Sequence, residues 1–180
     1  GLQEIFANMV SGIILLFERP IRVGDTVTVG DVSGKVCRIQ MRATTITDWD
    51  QKELIVPNKT FITDKLINWS LTDTVTRVVI PVGIAYDSDE ELAHKIFKQI
   101  IEEAPLVLKD PEPSVYFLGF GDSSLDFNLR VFVRDLNDRL PVTDDLHRRI
   151  RRAFKEHNIE IPFPQRDLHI RSTIESSGVP

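Results

Sequence analysis

The chain has 180 residues, 42 % hydrophobic and 27 % charged, with a formal net charge of −5. This is ordinary globular composition, enough for one large domain or two small ones. The acidic balance gives no general attraction to nucleic acid, so such a role would need a local basic patch. The single cysteine, Cys37, excludes an internal disulfide bond.

The first predicted element is a helix that ends before Pro20. Its apolar residues recur at spacings of three and four: Leu2, Ile5, Phe6, Met9, Val10, Ile13, Ile14 and Phe17. Small residues four apart, such as Asn8 and Gly12, let helix backbones approach closely. The nearly apolar run 9–17 is too short to span a bilayer, since a spanning helix needs about 20 such residues. Because the pattern is already under way at Gly1, we expect a portion of a longer, membrane-bound protein.

Short strands are predicted between residues 25 and 68. They are Thr26–Val29, Val32–Met41, Ala43–Thr47 and Lys52–Val56, followed by a helical turn within Pro57–Asp64 and a last strand, Leu66–Trp69. Gly34 is the expected site of a bulge or bend. Strands this short, with no long helix between them, favour a small, partly closed barrel.

The pattern changes near Val75 and alternates strands with two helices. The first helix opens at a capping box, Ser88 to Glu91, and the second runs from Thr143 to His157. The expected strands are Val75–Tyr86, Ser114–Phe120, Leu125–Arg134 and Asp167–Arg171. The order β-α-β-β-α-β is that of a ferredoxin-like α+β sandwich.

Motifs for catalysis or cofactor binding do not stand out in the sequence. The four histidines are scattered and lack metal-ligand spacing: His94, His147, His157 and His169. There is no nucleophile motif and no glycine-rich phosphate loop before a helix. We therefore predict no catalytic residues, no metal and no cofactor.

The sequence contains two clusters of basic residues. Five residues of the second long helix form the larger one: Arg148, Arg149, Arg151, Arg152 and Lys155. Because no aromatic residues are interleaved on that face, a solvated helix surface is favoured over nucleic-acid binding. The smaller group, Arg19 and Arg22, follows the first apolar helix, as basic residues do on the cytoplasmic side of a membrane.

Several ordered motifs resemble the MscS family of mechanosensitive channels, most of all its large, MscK-like members. The motifs are LQ-x4-N-x3-G (Leu2–Gly12), FERPIRVGDTV (Phe17–Val27), GKV (Gly34–Val36), ATT (Ala43–Thr45), IVPN (Ile55–Asn58), INWS (Ile67–Ser70), GIAYDSD (Gly83–Asp89) and IPFPQ (Ile161–Gln165). The resemblance extends over nearly the whole chain.

The resemblance implies an α+β architecture in four parts. They are the cytoplasmic end of a pore helix (1–20), an Sm-like β barrel (21–72), a ferredoxin-like α/β domain (73–172) and a polar tail (173–180). Seven copies would enclose a perforated vestibule below a bacterial inner membrane. The channel would open under tension and release ions and small solutes on hypo-osmotic shock. The pore seal and the tension sensor would lie upstream of Gly1.

The resemblance also implies a gating interface between helix and barrel, with Gln3, Asn8 and Gly12 on one side and Asn58 and Lys59 on the other. Two positions depart from the family pattern, because Glu4 and Lys59 stand where glycines are common. The resemblance implies that the Lys59 position meets the Asn8 position on inactivation. Simple packing or turn formation is the alternative role for these residues.

The expected partners are further copies of the chain, membrane lipid at residues 1–20, and the permeating ions and solutes, with no nucleic acid. An RNA-binding ring is the alternative function, since Sm-like barrels often bind RNA. The acidic balance and the missing aromatic stacking positions argue against it. A hydrolase is a weaker third option.

Overall fold

A computed structural model describes residues 1–166 and 168. The described chain folds as two compact units, and the predicted α+β class is confirmed. The first unit comprises Gly1–Arg77 together with Phe132–Leu140, and the second comprises Val78–Val131 and the described residues from Pro141 onward. The domain limits drawn from the sequence stay predictions.

Helix α1 (Leu2–Glu18) begins the first unit, as predicted. It ends at Arg19, whose left-handed backbone (φ 51°, ψ 48°) lets its N–H donate to the Leu15 carbonyl over 3.1 Å. The buried face is the small-residue face, with Ser11 and Gly12 beside Leu15. The apolar stripe points elsewhere, and Phe6 and Phe17 are 69 % and 88 % exposed. This unit therefore leaves a helical apolar surface uncovered.

A five-stranded antiparallel sheet follows α1. Its strands are β1 (Thr26–Val29), β2 (Val32–Ile39), β3 (Ala43–Thr47), β4 (Glu53–Pro57) and β5 (Leu66–Asn68), with helix α2 (Asn58–Thr63) between the last two. The strand order is β4-β3-β2-β1-β5, so β4 and β5 are the edges. The predicted strands and helical turn are confirmed, whereas closure into a barrel is not.

The core of this unit lies between α1, the sheet and α2. It contains Leu15, Ile21, Val27, Val29, Val36, Ile46, Val56 and Phe61. Each side chain is less than 9 % exposed, so apolar burial stabilises the docking of α1 on the sheet.

The predicted bulge at Gly34 is wrong. Gly34 pairs in regular register with Val27, and the register shift in β2 falls between Val36 and Arg38. Glycine is required at position 34 for another reason: a Cβ there would lie 2.2 Å from the Thr47 carbonyl oxygen. The glycine within the strand pattern therefore marks a close approach of two strands rather than an extra residue.

The second unit is built on a three-stranded sheet of order β6-β8-β7. Its elements are β6 (Thr76–Ile84), α3 (Glu90–Glu103), β7 (Ser114–Phe120), β8 (Leu125–Val133) and α4 (Arg139–His157). Between β8 and α4 along the chain comes a short 3-10 helix (Leu136–Asp138), which belongs to the first unit. The Phe97 ring packs 5.4 Å from Phe127 and 5.5 Å from Phe154, which joins both helices to the sheet.

Most of the predicted ferredoxin-like order is confirmed in this unit. Helix α4 begins four residues before the predicted Thr143, because Pro141 fits the first turn of a helix, where no N–H is needed. The predicted last strand, Asp167–Arg171, lies outside the described residues except for Leu168, which has no regular structure. The predicted polar tail also lies outside them.

The first turn of α3 is capped by Asp89 and not by the predicted Ser88. The Asp89 Oδ1 atom accepts a hydrogen bond from the Leu92 N–H over 2.9 Å. Either residue type is a good N-cap, so the sequence pattern alone left the register ambiguous by one residue.

We predict that Asp89→Ala destabilises the second unit by about 1 kcal/mol, since it removes the acceptor for an otherwise unpaired helix N–H. Ser88→Ala is the matched control and is expected to change the free energy of unfolding by less than about 0.5 kcal/mol. Urea denaturation of both variants measures the difference. A larger loss for the Ser88 variant would contradict the observed cap.

Candidate helix–sheet junction

The side chain of Asn58 lies at the centre of the contact between α1 and the sheet. It is the first residue of α2, directly after β4, and it is fully buried. Its Nδ2 donates to the carbonyl oxygens of Gln40 (2.8 Å) and Met41 (3.0 Å). Its Oδ1 accepts from the Thr44 hydroxyl over 2.9 Å. The first two contacts bind α2 to the β2–β3 connection, and the third binds it to β3.

Gly12 of α1 rests directly on this amide. A Cβ atom at position 12 would lie 2.2 Å from the Met41 carbonyl oxygen and 2.6 Å from Asn58 Nδ2. No side chain fits there without moving the helix or the loop. The glycine therefore sets how closely α1 approaches the sheet, as small-residue spacing predicts for helix contacts.

Asn8 lies one turn before Gly12 and adds a polar contact to α2. Its Oδ1 accepts from the backbone N–H of Lys59 over 2.9 Å. Its Nδ2 donates to the Glu4 carbonyl over 2.9 Å, which orients the amide. The Lys59 side chain is exposed and takes no part in this hydrogen bond. Any residue with a main-chain N–H can serve at position 59.

The structure thus brings together four of the residues singled out in the sequence: Asn8, Gly12, Asn58 and Lys59. We call this group the helix–sheet junction. Gln3 is not part of it and lies exposed in the first turn of α1. Arg19 and Arg22 follow the opposite end of α1.

The sequence reasoning missed the other half of the junction, which comprises Gln40, Met41 and Thr44. The first two act through carbonyl oxygens, which every residue carries, so no residue type signals them. Thr44 lies in the ATT motif of the family resemblance, but only the structure shows that it is fully buried. A buried hydroxyl needs a partner, and here the partner is Asn58.

The larger basic group on α4 is partly neutralised by its own helix. Arg148 bonds to Asp144 over 2.7 Å, and Arg149 bonds to Asp145 over 2.8 Å. The hydrogen bond and charge of Asp144 raise the pKa of the Arg148 guanidinium above its ordinary value. These pairs fit the predicted solvated helix surface.

The chain matches two family models in order. Residues 4–71 match the mechanosensitive ion channel beta-domain, and residues 78–161 match the C-terminal region of the mechanosensitive ion channel MscS. Together they account for most of the chain.

Whole-sequence comparison gives relatives with similar descriptions. The chain is 54 % identical over its full length to an uncharacterized MscS family protein of Haemophilus influenzae, covering 16 % of that protein. It is also 54 % identical over 96 % of its length to the mechanosensitive channel MscK of Escherichia coli, covering 15 % of it. The chain therefore spans about one sixth of the length of these relatives.

Solved structures resemble the fold. Helicobacter pylori MscS in a closed state superposes with a TM-score of 0.89 at 29 % identity, over 96 % of this chain and 68 % of that one. The Arabidopsis thaliana protein MSL1 superposes with a TM-score of 0.75 over 89 % of this chain and 59 % of that one. Its 18 % identity limits that likeness to the fold.

We predict that Gly12→Ala loosens α1 from the sheet, because its Cβ would overlap the Met41 carbonyl. The expected loss is about 1–3 kcal/mol, typical of overpacking. Hydrogen exchange of the α1 amides measures it. Ile13→Ala is the control, since Ile13 is 51 % exposed in this structure. Equal exchange in the two variants would contradict the tight approach at Gly12.

Proposed function

Because this chain belongs to the MscS family of mechanosensitive ion channels, we propose that it forms the cytoplasmic portion of a tension-gated channel in a bacterial inner membrane. The observation that supports this most is the ordered match of both family models along one chain. The channel releases ions and small solutes when hypo-osmotic shock stretches the bilayer. Tension favours the conformation with the larger in-plane area, and this portion biases that equilibrium.

In this proposal α1 is the lower part of a pore helix that runs along the inner membrane face. Its exposed apolar stripe supports this role, because Phe6, Ile13 and Phe17 would otherwise face water. Lipid and the neighbouring copies of α1 cover the stripe in the assembled protein. Among the described residues, no helix has both the length and the hydropathy to cross a bilayer.

We further propose that seven copies assemble around a central axis. The first and second units of each copy would form the wall of a vestibule. The sequence supports homo-oligomers through its family membership, and the uncovered apolar face of α1 supplies a surface that association would bury. Solutes would pass through this vestibule before the pore.

The helix–sheet junction supplies the proposed coupling. Since α1 continues the pore helix, any change in its tilt must either keep or break the contacts of Asn8 and Gly12 with α2. The hydrogen bond from Lys59 N–H to Asn8 holds α1 down in the conformation described. We propose that this conformation is non-conducting.

The replacement of a common glycine by Lys59 does not abolish this contact. The donor is the main-chain N–H, which lysine and glycine share, and the lysine side chain remains exposed. The inactivation contact implied by the family resemblance is therefore available to this protein.

We predict that Asn8→Ala, placed in the full-length protein that carries this chain, shifts the channel away from its inactivated state. Loss of one hydrogen bond is worth about 1 kcal/mol, which is about a fivefold change in the equilibrium. Patch-clamp recording under sustained membrane tension measures the fraction of channels that inactivate.

Two control variants accompany this recording. Lys59→Ala retains the main-chain donor and is expected to inactivate like the unmodified protein. Asn8→Asp retains the acceptor. Its inactivated fraction is expected to lie closer to that of the unmodified protein than the fraction of Asn8→Ala does. Absence of tension-activated current would overturn the proposed function. Normal tension gating with no effect of Asn8→Ala would overturn only the role of the junction.

A further inference from the structure

A groove of about 320 Å³ lies where α1 ends and the chain turns toward β1. Its lining consists of Leu15, Leu16, Arg19, Ile21, Arg22, Val23 and Ile39. Five of these seven side chains are apolar, and the two charged ones are both arginines. We call it the arginine groove.

The two guanidinium groups have no carboxylate partner in the part of the chain that the structure describes. None of the three ion pairs found there involves Arg19 or Arg22. The nearest acids along the chain are Glu18 and Asp25, and neither forms an ion pair with a guanidinium group. Asp25 is held instead by neutral donors. Its Oδ2 accepts from the Arg22 backbone N–H (2.9 Å) and from Asn68 Nδ2 (2.7 Å). The groove therefore carries two positive charges that form no ion pair with any described carboxylate.

The apolar part of the groove is also incompletely covered. Leu16 is 52 % exposed and Val23 is 63 % exposed, next to the exposed ring of Phe17. The floor is formed by fully buried residues, Leu15 and Ile21. A ligand that fits must combine an anionic head with an apolar body, since a free anion would leave the apolar wall in water.

We propose that the arginine groove binds the headgroup of an anionic phospholipid of the adjacent leaflet, with the upper acyl chain against Leu16 and Val23. Guanidinium groups bind phosphate oxygens with paired, charge-assisted hydrogen bonds. The proposal rests on the proposed function only in placing α1 at a membrane face. It adds a lipid class and a defined site at the end of the helix, where bound lipid restrains α1.

Vesicle binding of the purified 180-residue chain tests this site. We expect binding to phosphatidylglycerol vesicles that weakens with added salt, and clearly weaker binding to phosphatidylcholine vesicles. Arg19→Gln combined with Arg22→Gln is expected to weaken binding to the anionic vesicles about 30-fold, since each arginine near the surface contributes about fivefold.

The matched control is Arg151→Gln combined with Arg152→Gln, which removes the same charge from an exposed part of α4 and is expected to change binding less than about threefold. Equal loss in both double variants would show general charge attraction and overturn the site. Equal binding to both lipids, or no binding to either, would also overturn it.

A soluble competitor identifies the source of the phosphate. Glycerol 3-phosphate at 10 mM, a concentration that would saturate a site of about millimolar affinity, is expected to leave vesicle binding unchanged. Full displacement would show a free-phosphate site and overturn the lipid assignment. Tension gating of the full-length protein is measured separately. A negative result for this site therefore does not contradict the proposed channel function.

Discussion

One buried amide determines how the N-terminal helix meets the sheet. Asn58 uses both hydrogen-bonding ends of its side chain, donating to two carbonyls of the β2–β3 connection and accepting from Thr44. A buried amide without these partners would cost about 1–3 kcal/mol for each group left unpaired. Because all of its partners lie on the sheet side, the amide presents a fixed surface to α1. Gly12 is the residue that fits against it.

The rest of the first unit follows from this contact. When Gly12 packs against Asn58, Leu15 lies in the core one turn further along α1. Asn8, one turn before Gly12, contacts the start of α2. The small-residue face of α1 is therefore buried, and the apolar stripe remains exposed. The same geometry leaves the arginine groove at the end of the helix. Helix position, exposed stripe and basic groove are therefore linked, and a movement of α1 would change all three.

Local elements were predictable from the sequence because their signals are local. Strands β1, β3 and β7 have the predicted bounds, since alternation and turn residues delimit them. The role of Gly34 was not predictable, because a glycine in a strand can mark either a bulge or a close approach of two strands. The cap at Asp89 was not predictable, because Ser88 and Asp89 are both good N-cap residues. The junction was predictable in part. Asn8, Gly12 and Asn58 carry a family pattern, and Lys59 follows Asn58 directly, whereas Gln40 and Met41 contribute only main-chain oxygens.

The central claim is that Asn58 couples α1 to the sheet, and the variant Asn58→Leu tests it most directly. Leucine has the same branching and number of side-chain heavy atoms but leaves two carbonyl oxygens and one hydroxyl unpaired. Hydrogen exchange across residues 2–18 and 40–44 should then accelerate together by at least about tenfold, while β1 stays protected. Unchanged exchange in α1, with loss confined to the loop, would contradict the coupling.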